Sequence, residues 1–153
     1  RKLILDKKSN FKKKTDLLLY LAARSENMDN LKKNFRKKII LLDRFTDSTI
    51  AYQHFGMGVN LDIIKKINNH ILKSFKVDFT FLSIVNIKNM QKRLKQRKKL
   101  NRYDTFKEKF YKKVQNGFLR ISKNKKKYEI INSNLPIDLN KKIIIEKIEK
   151  LVK

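Results

Sequence analysis

The sequence predicts an α/β domain in which helices flank a parallel sheet. Three short runs rich in β-branched and aromatic residues are typical of strands: 39–42, 77–85 and 128–131. Longer segments with apolar residues at helical spacing separate these runs, and this alternation is the pattern of a parallel sheet. With 153 residues, we expect one domain over 1–153 with a sizeable core.

The composition is strongly basic, with 40 Lys and Arg against 14 Asp and Glu and a net charge of +26. Such a charge makes nucleic acid or an anionic membrane the first partner to consider. The alternative is compositional drift, because Lys, Ile and Asn are abundant and Gly and Pro are scarce, as codon bias in an AT-rich genome produces. The lysines are scattered over every predicted helix rather than gathered in one stripe. We therefore do not predict a nucleic-acid partner.

Other classes of protein and site are excluded on composition. The chain has no cysteine, which excludes disulfides and thiolate metal sites and favours the reducing cytoplasm. Its histidines, His54 and His70, are too few and too separated to predict a metal site. No signal peptide is recognisable, and no apolar run approaches the ~20 residues that span a bilayer, so no membrane partner is expected.

The chain ahead of the first predicted strand is helical and basic. The segment 1–6 is typical of a helix end, and 7–14 of an exposed basic connector. A long helix then begins at Thr15, a favourable N-cap residue, with Asp16 placed to complement the helix dipole. The segment 34–38 is predicted to be a loop that leads into the strand.

Tyr20 and Arg24 lie four residues apart in this long helix, on the same face and one turn from each other. An aromatic ring beside a guanidinium can stack on a planar base and hydrogen-bond its edge. The same spacing describes a core tyrosine next to a surface arginine. Spacing does not separate these two interpretations.

The stretch 39–58, IILLDRFTDSTIAYQHFGMG, carries the densest set of candidate site residues. Asp43 and Arg44 directly follow the predicted strand, and open α/β sheets bind ligands beyond the carboxyl ends of their strands. A fixed guanidinium there suits a phosphate, because its planar fork gives two hydrogen bonds at once. The alternative is a helix cap with a surface ion pair. The polar helical segment that follows carries Ser48, Thr49, Tyr52 and Gln53.

The second half of the chain supplies the remaining elements. Gly56 and Gly58 are expected to end the polar helix, and Asn60 to cap the next one. The apolar stripe of that next helix is expected in core or dimer packing: Leu61, Ile64, Ile67, Ile71 and Leu72. Further helices are predicted over 86–100, 105–122 and 139–152.

The string D-R-F-T-D-S-T-I-A-Y-Q at 43–53 closely resembles the D-R-[YFH]-x-x-S-[ST]-x-A-Y-Q signature of thymidylate (dTMP) kinases. Two further segments resemble the same family in the same order: the aromatic-x-x-x-Arg at 20–24 and a lid motif at 101–104. The resemblance covers nearly the whole chain. It implies a P-loop NTPase-type nucleoside monophosphate kinase fold, dTMP and ATP as substrates, Mg²⁺ as cofactor, and a homodimer.

The resemblance implies a dTMP-binding region over 15–58. Arg44 would hold the phosphate of dTMP, and Asp43 would lie near magnesium and the reacting phosphates. Tyr52 would lie under the sugar, where it disfavours a ribose 2′-hydroxyl. The other residues expected to bind dTMP are Tyr20, which would stack on thymine, Arg24, Thr49 and Gln53, which would contact the base, and Ser48.

The basic run 92–104 resembles the mobile lid of that family. The usual D-R-x-E motif of the lid is replaced here by Asn101-Arg102-Tyr103-Asp104. Arginines on a closing lid can neutralise charge on a phosphoryl group during transfer. The candidate lid arginines are Arg93, Arg97 and Arg102, of which Arg97 and Arg102 are expected to be catalytic. The lysines of this run are expected to form a solvated face.

Two segments of the family are absent from this sequence. The chain has three glycines, none before Gly56, and so no G-x-x-x-x-G-K-[ST] string for ATP phosphates and no R-E-P-G-G stretch. Met57 stands where many members have Arg, and Ile84 stands where the family usually has an acid. We expect the sheet to lack its first, central strand, and the 153 residues alone to be inactive.

The leading hypothesis is therefore a cytoplasmic thymidylate kinase that makes dTDP for dTTP synthesis. The alternative is a basic nucleic-acid-binding protein or a degenerate, non-catalytic kinase-like protein. Saturable, base-selective binding of dTMP would favour the kinase. Tight and steeply salt-dependent binding to any DNA or RNA would favour the alternative.

Overall fold

The computed structural model describes residues 2–34, 38–124 and 126–152. In chain order the elements are α1 (Lys2–Leu5), α2 (Lys13–Asn34), α3 (Thr46–Thr49), a π-helical segment (Ile50–Gly56), α4 (Leu61–Leu72), β1 (Thr80–Ile84), α5 (Ile87–Lys95), a 3₁₀ turn (Arg102–Thr105), α6 (Glu108–Ile121), β2 (Tyr128–Asn132) and α7 (Ile137–Val152). They divide into two compact units, 1–76 with 99–121 and 77–98 with 122–153. A single domain over 1–153 stays a prediction.

The fold is a helix-rich α/β fold with a small parallel sheet, as the alternation of elements predicts. β1 and β2 pair in parallel, with Thr80 opposite Tyr128 and Ile84 opposite Asn132. Leu82 is 8 % exposed and Ile131 2 % exposed, so each strand buries one apolar side chain. The strand predicted at 77–85 is shorter than expected, because its pairing begins at Thr80.

The strand predicted at 39–42 is wrong. These residues have no regular secondary structure, and Ile39 and Leu41 are 65 % and 80 % exposed. A buried strand must give its backbone N–H and C=O groups to neighbouring strands. In the part of the chain that the structure describes, the sheet consists of β1 and β2, and 39–42 takes no part in it.

The core of the first unit lies between α2 and α4. Leu17 and Leu21 of α2 are buried together with Val59 and Ile64. Most of the apolar stripe of α4 faces this core, since Ile67 and Ile71 also pack against it. The side chain of Asn60 accepts hydrogen bonds from two backbone N–H groups in the first turn of α4, as predicted for an N-cap.

The π-helical segment packs directly on α6, and two glycines make the close approach possible. A Cβ atom at Gly56 would lie 2.6 Å from the ring of Phe110 in α6. In the opposite direction, a Cβ atom at Gly117 of α6 would lie 2.5 Å from the ring of Phe55. Each glycine therefore makes room for an aromatic ring of the other element.

Several predicted helix boundaries are corrected. Thr15 is not the N-cap of α2, which begins at Lys13, because the N–H of Asp16 already bonds to the carbonyl of Lys12 over 3.1 Å. The helices predicted at 86–100 and 105–122 are shorter, and the last helix begins two residues earlier than predicted. The loop predicted at 34–38 begins one residue too early, because Asn34 still belongs to α2; Lys38 lies outside regular secondary structure, and 35–37 lie outside the described residues.

None of the helices in 2–34, 38–124 and 126–152 has both the length and the apolarity needed to cross a membrane.

Candidate functional site

Helix α2 contributes three residues to the candidate site because of their four-residue spacing. Asp16, Tyr20 and Arg24 follow one another at consecutive turns of the helix. Asp16 is fully buried, and Tyr20 and Arg24 are half-buried. The predicted position of the last two on one helix face is confirmed, since both helical turns are formed.

Arg24 is fixed by three hydrogen bonds. Its Nη1 donates to Asn68 Oδ1 over 2.6 Å, and its Nη2 donates to Thr49 Oγ1 over 2.6 Å and to the carbonyl of Phe45 over 3.1 Å. The guanidinium also lies 5.4 Å from the ring centroid of Phe45. Burial lowers the pKa of Arg24 to about 10, against an opposite effect of Asp47. A guanidinium has five N–H donors, of which these bonds use three.

Arg44 is held in an unusual backbone conformation. Its φ is 65°, in the left-handed region that residues with a side chain rarely adopt. The guanidinium lies 5.3 Å from the ring centroid of Tyr52. Burial opposes its charge, but Tyr52, Asp43 and Tyr20 more than offset this effect and raise the pKa of Arg44. The guanidinium therefore stays charged.

Residues 46–56 place the polar side chains that were predicted to bind a base. Thr49 is 3 % exposed and Gln53 is 2 % exposed. The segment closes with wide turns, in which the N–H of Met57 bonds to the carbonyl of Tyr52 over 3.0 Å, five residues back. π-Helical turns of this kind are rare and occur often at functional sites. Ser48 is half-buried, and its N–H bonds to the carbonyl of Phe45 over 3.2 Å.

Tyr103 joins the elements of the site. Its ring lies edge-on to that of Tyr20, with centroids 6.1 Å apart, and to that of Tyr52, with centroids 5.7 Å apart. Its hydroxyl donates to Asp16 Oδ2 over 3.1 Å and accepts from Gln53 Nε2 over 3.4 Å. Burial raises the pKa of Tyr103, and Tyr20 and Asp16 raise it further.

Arg102, predicted to be a catalytic lid arginine, is bound to Asp16 in this structure. Its Nη1 and Nη2 donate to the two carboxylate oxygens over 2.7 and 2.8 Å. The hydrogen bonds to Asp16 raise the pKa of Arg102, against the effect of burial. Asn101 and Asp104, which stand in place of the two acids of the family motif, cap the turn reciprocally. The N–H of Tyr103 donates to Asn101 Oδ1 over 2.8 Å, and the N–H of Asn101 donates to Asp104 Oδ2 over 2.9 Å.

The predicted lid is divided between the two units. Arg102 belongs to the first, and Arg93 and Arg97 belong to the second. Arg93 Nη2 donates to the carbonyl of Ser133 over 2.5 Å, and Arg97 is exposed two residues beyond the end of α5. Their place in the site stays a prediction.

The structure thus brings together a subset of the predicted residues. Tyr20, Tyr52 and Gln53 meet at Tyr103, and Arg44 joins this group through the ring of Tyr52. Arg24 and Thr49 form a second, adjoining group. Asp43 is exposed beside Arg44.

Sequence reasoning missed three residues of this arrangement: Asp16, Asn68 and Tyr103. Asp16 was interpreted as a partner of the helix dipole, although it is 0 % exposed and ion-paired. Tyr103 stands at the variable position of the predicted lid motif and was given no role, and Asn68 carried no signal of its own.

Comparison with known proteins gives one consistent result. The family model for thymidylate kinase matches residues 1–144. The thymidylate kinase of Acholeplasma laidlawii is 33 % identical over 154 residues, covering 98 % of this chain and 76 % of the relative. That of Mesoplasma florum is 34 % identical over 158 residues, covering 97 % and 75 %. The crystal structure of thymidylate kinase from Ehrlichia chaffeensis superposes with a TM-score of 0.67 at 28 % identity, over 95 % of this chain and 70 % of that one.

Proposed function

The chain belongs to the thymidylate kinase family, and we propose that it serves the transfer of the γ-phosphate of MgATP to dTMP, giving dTDP for dTTP synthesis. One observation carries the proposal. Residues expected at the phosphate, the sugar and the base of dTMP are joined through neighbouring rings, from Arg44 through Tyr52 to Tyr103 and on to Tyr20 and Gln53. Such a group matches the parts of one mononucleotide.

In this proposal Arg44 binds the phosphate of dTMP by a bidentate interaction, since the raised pKa of Arg44 keeps its guanidinium charged and the residue adjoins the exposed Asp43. Tyr52 lies under the sugar and disfavours a ribose 2′-hydroxyl. The residues proposed to bind the base are Tyr20, Arg24, Ser48, Thr49 and Gln53. The hydrogen bonds to Asn68 and Thr49 would keep Arg24 in place while its remaining donors face the base.

Phosphoryl transfer needs positioning and charge stabilisation rather than covalent chemistry. We assign this work to Asp43, Arg44, Arg97 and Arg102, with Arg93 as a further lid arginine. A role for Arg102 at the transferred group requires its ion pair with Asp16 to open. Arg97 is exposed.

Magnesium supplied with ATP would neutralise negative charge on the phosphates. The donor set fits an ion that arrives with the nucleotide. No cluster of three carboxylate or histidine side chains exists in 2–34, 38–124 and 126–152, and Mg²⁺ at nucleotides is commonly bound by one or two carboxylates together with the phosphates. The exposed carboxylate of Asp43 is the group that would face it.

We further propose that the 153 residues bind dTMP but do not transfer phosphate from ATP by themselves, since they contain no G-x-x-x-x-G-K-[ST] string. Adding a segment with that string upstream of the chain would restore transfer. Activity of the 153 residues alone would contradict this proposal. A homodimeric state and a cytoplasmic location are proposed from the family alone.

The direct test is calorimetric titration with dTMP. We expect saturable binding that Arg44→Met weakens by about 10- to 100-fold, the value of a charged hydrogen-bonding contact of ~1.5–3 kcal/mol. Lys65→Met, which removes one charge from an exposed position of α4, is the matched control and should leave the dissociation constant unchanged. Salt-dependent binding to DNA of any sequence, without binding of dTMP, would support the nucleic-acid alternative instead.

A further inference from the structure

The hydroxyl of Tyr103 connects a buried acid to a predicted base-binding amide. It lies 3.1 Å from Asp16 Oδ2 and 3.4 Å from Gln53 Nε2. The side chain of Tyr20 is also hydrogen-bonded to Tyr103. All these residues belong to the first unit. In the function proposed above, Tyr103 joins the neighbouring rings, but neither Asp16 nor Tyr103 is assigned a contact with dTMP.

The direction of these hydrogen bonds follows from Asp16. Its side chain is 0 % exposed, and both of its oxygens accept hydrogen bonds from the guanidinium of Arg102. An ionised carboxylate accepts hydrogen bonds and donates none. The proton of the Tyr103 hydroxyl must therefore point at Asp16. Because burial raises the pKa of Tyr103, the hydroxyl retains this proton.

Gln53 is oriented as a consequence. A hydroxyl has one donor position and two acceptor positions, and the donor of Tyr103 is already used by Asp16. It can only accept from Gln53, so the amide nitrogen of Gln53 faces Tyr103 and the amide oxygen is directed away from it. Gln53 is 2 % exposed, and a buried polar group that loses its hydrogen bond is destabilised, which disfavours turning the amide over.

We propose that Asp16 and Tyr103 are positioning residues that set the hydrogen-bonding direction of Gln53 and thereby favour a 4-oxopyrimidine monophosphate over a 4-aminopyrimidine one. The proposal rests on the proposed function, in which Gln53 contacts the base. The ring nitrogen at position 3 carries a hydrogen in a 4-oxopyrimidine, and an amide oxygen accepts it. In a 4-aminopyrimidine the same nitrogen only accepts, so it would meet an acceptor.

The test compares dissociation constants for dTMP and dCMP in the wild type and in Tyr103→Phe. This variant keeps the ring and leaves Arg102 bound to both oxygens of Asp16. It removes only the hydroxyl that orients Gln53. We expect the preference for dTMP over dCMP to fall by about 3- to 10-fold, as for loss of one hydrogen bond of ~0.5–1.5 kcal/mol.

A second background separates positioning from a general structural effect. When Tyr103→Phe is added to the Gln53→Met variant, the preference for dTMP over dCMP should not change further, because the amide that the Tyr103 hydroxyl orients is absent. A purely structural role of the hydroxyl would act in both backgrounds. Tyr111→Phe is the matched control: its hydroxyl donates to the backbone carbonyl of Tyr103 over 2.5 Å, so its loss should lower the melting temperature without changing the preference.

Two outcomes would overturn the inference alone: an unchanged preference in Tyr103→Phe, or an equal change in the Gln53→Met background. A wild type that binds no dTMP would overturn the proposed function and the inference with it. The two failures are thus distinguished by the wild-type titration.

Discussion

Arg102 and Asp16 form a bidentate ion pair across 86 positions of the chain, with N–O distances of 2.7 and 2.8 Å. The carboxylate is fully buried, and the arginine side chain is 12 % exposed. The pair ties the 3₁₀ turn at Arg102–Thr105 to the first turn of α2. Since the Tyr103 hydroxyl is bonded to the same carboxylate, the ion pair also supports the group of tyrosines at the candidate site.

Replacing Arg102 by Met should lower the free energy of unfolding by about 3 kcal/mol, because a buried carboxylate loses its counter-charge. Urea denaturation at neutral pH measures the loss. Lys112→Met is the control, since Lys112 and Glu108 form a pair whose side chains are 60 % and 41 % exposed. That change should cost less than about 1 kcal/mol. Equal losses of unfolding free energy in the two variants would show that the buried ion pair stabilises the fold no more than the exposed one.

Thr49→Val removes the hydroxyl that accepts from Arg24 and keeps the branched shape of the side chain. We expect a loss of about 1.5–3 kcal/mol in unfolding free energy, because a charged donor loses its partner at a buried position. Thr49→Ser keeps the oxygen and loses one methyl group, so it should cost only about 1 kcal/mol. The prediction is contradicted if Ser is as destabilising as Val in chemical denaturation.

The raised pKa of Tyr103 should make the stability of the fold depend on pH in the alkaline range. A tyrosine in the unfolded chain loses its proton near pH ~10, whereas folded Tyr103 retains it above that value. The folded chain then binds more protons, so its stability falls as pH rises above ~10. The stability advantage of the wild type over Tyr103→Phe should narrow by up to about 1.4 kcal/mol per pH unit there.

Urea denaturation of both proteins from pH ~8 to pH ~11 measures this difference. Arg24, whose pKa is lowered to about 10 chiefly by burial, acts in the opposite direction over the same range. Its effect is present in both proteins and cancels in their difference. A constant difference over the whole range would refute the assignment to Tyr103.

Arg44 should show a conflict between stability and binding. Its φ of 65° costs about 1–2 kcal/mol for a residue with a Cβ atom, and glycine avoids that cost. Arg44→Gly should therefore be about 1 kcal/mol more stable than Arg44→Ala, while both lose binding of dTMP. Thermal melting and calorimetry of the two variants test the two halves of this prediction. An alanine variant as stable as the glycine variant would show that the backbone is not strained.

Local features of the site were predictable from the sequence. The interval between Tyr20 and Arg24 specifies one helix face, and the structure has both on α2. Asn60 precedes an apolar stripe, and it caps α4 through two backbone N–H groups. These predictions depend on a few neighbouring residues, so the sequence contains what they require.

Features that depend on distant partners were not predictable. Residues 39–42 have the composition of a strand, but a strand forms only where other strands accept its hydrogen bonds, and Leu41 is 80 % exposed. Asp16 is placed to serve the helix dipole, and its true partner lies 86 residues further along the chain. The hydrogen-bonding direction of Gln53 depends on Tyr103, which only the folded structure brings near.

The two glycines between the π-helical segment and α6 have a consequence for how this sequence can diverge. A Cβ atom at position 56 would force the ring of Phe110 to shift, and a Cβ atom at position 117 would force Phe55 to shift. Substitutions at these positions are therefore coupled in pairs. Related enzymes that have lost either glycine should also carry a compensating loss of the facing ring.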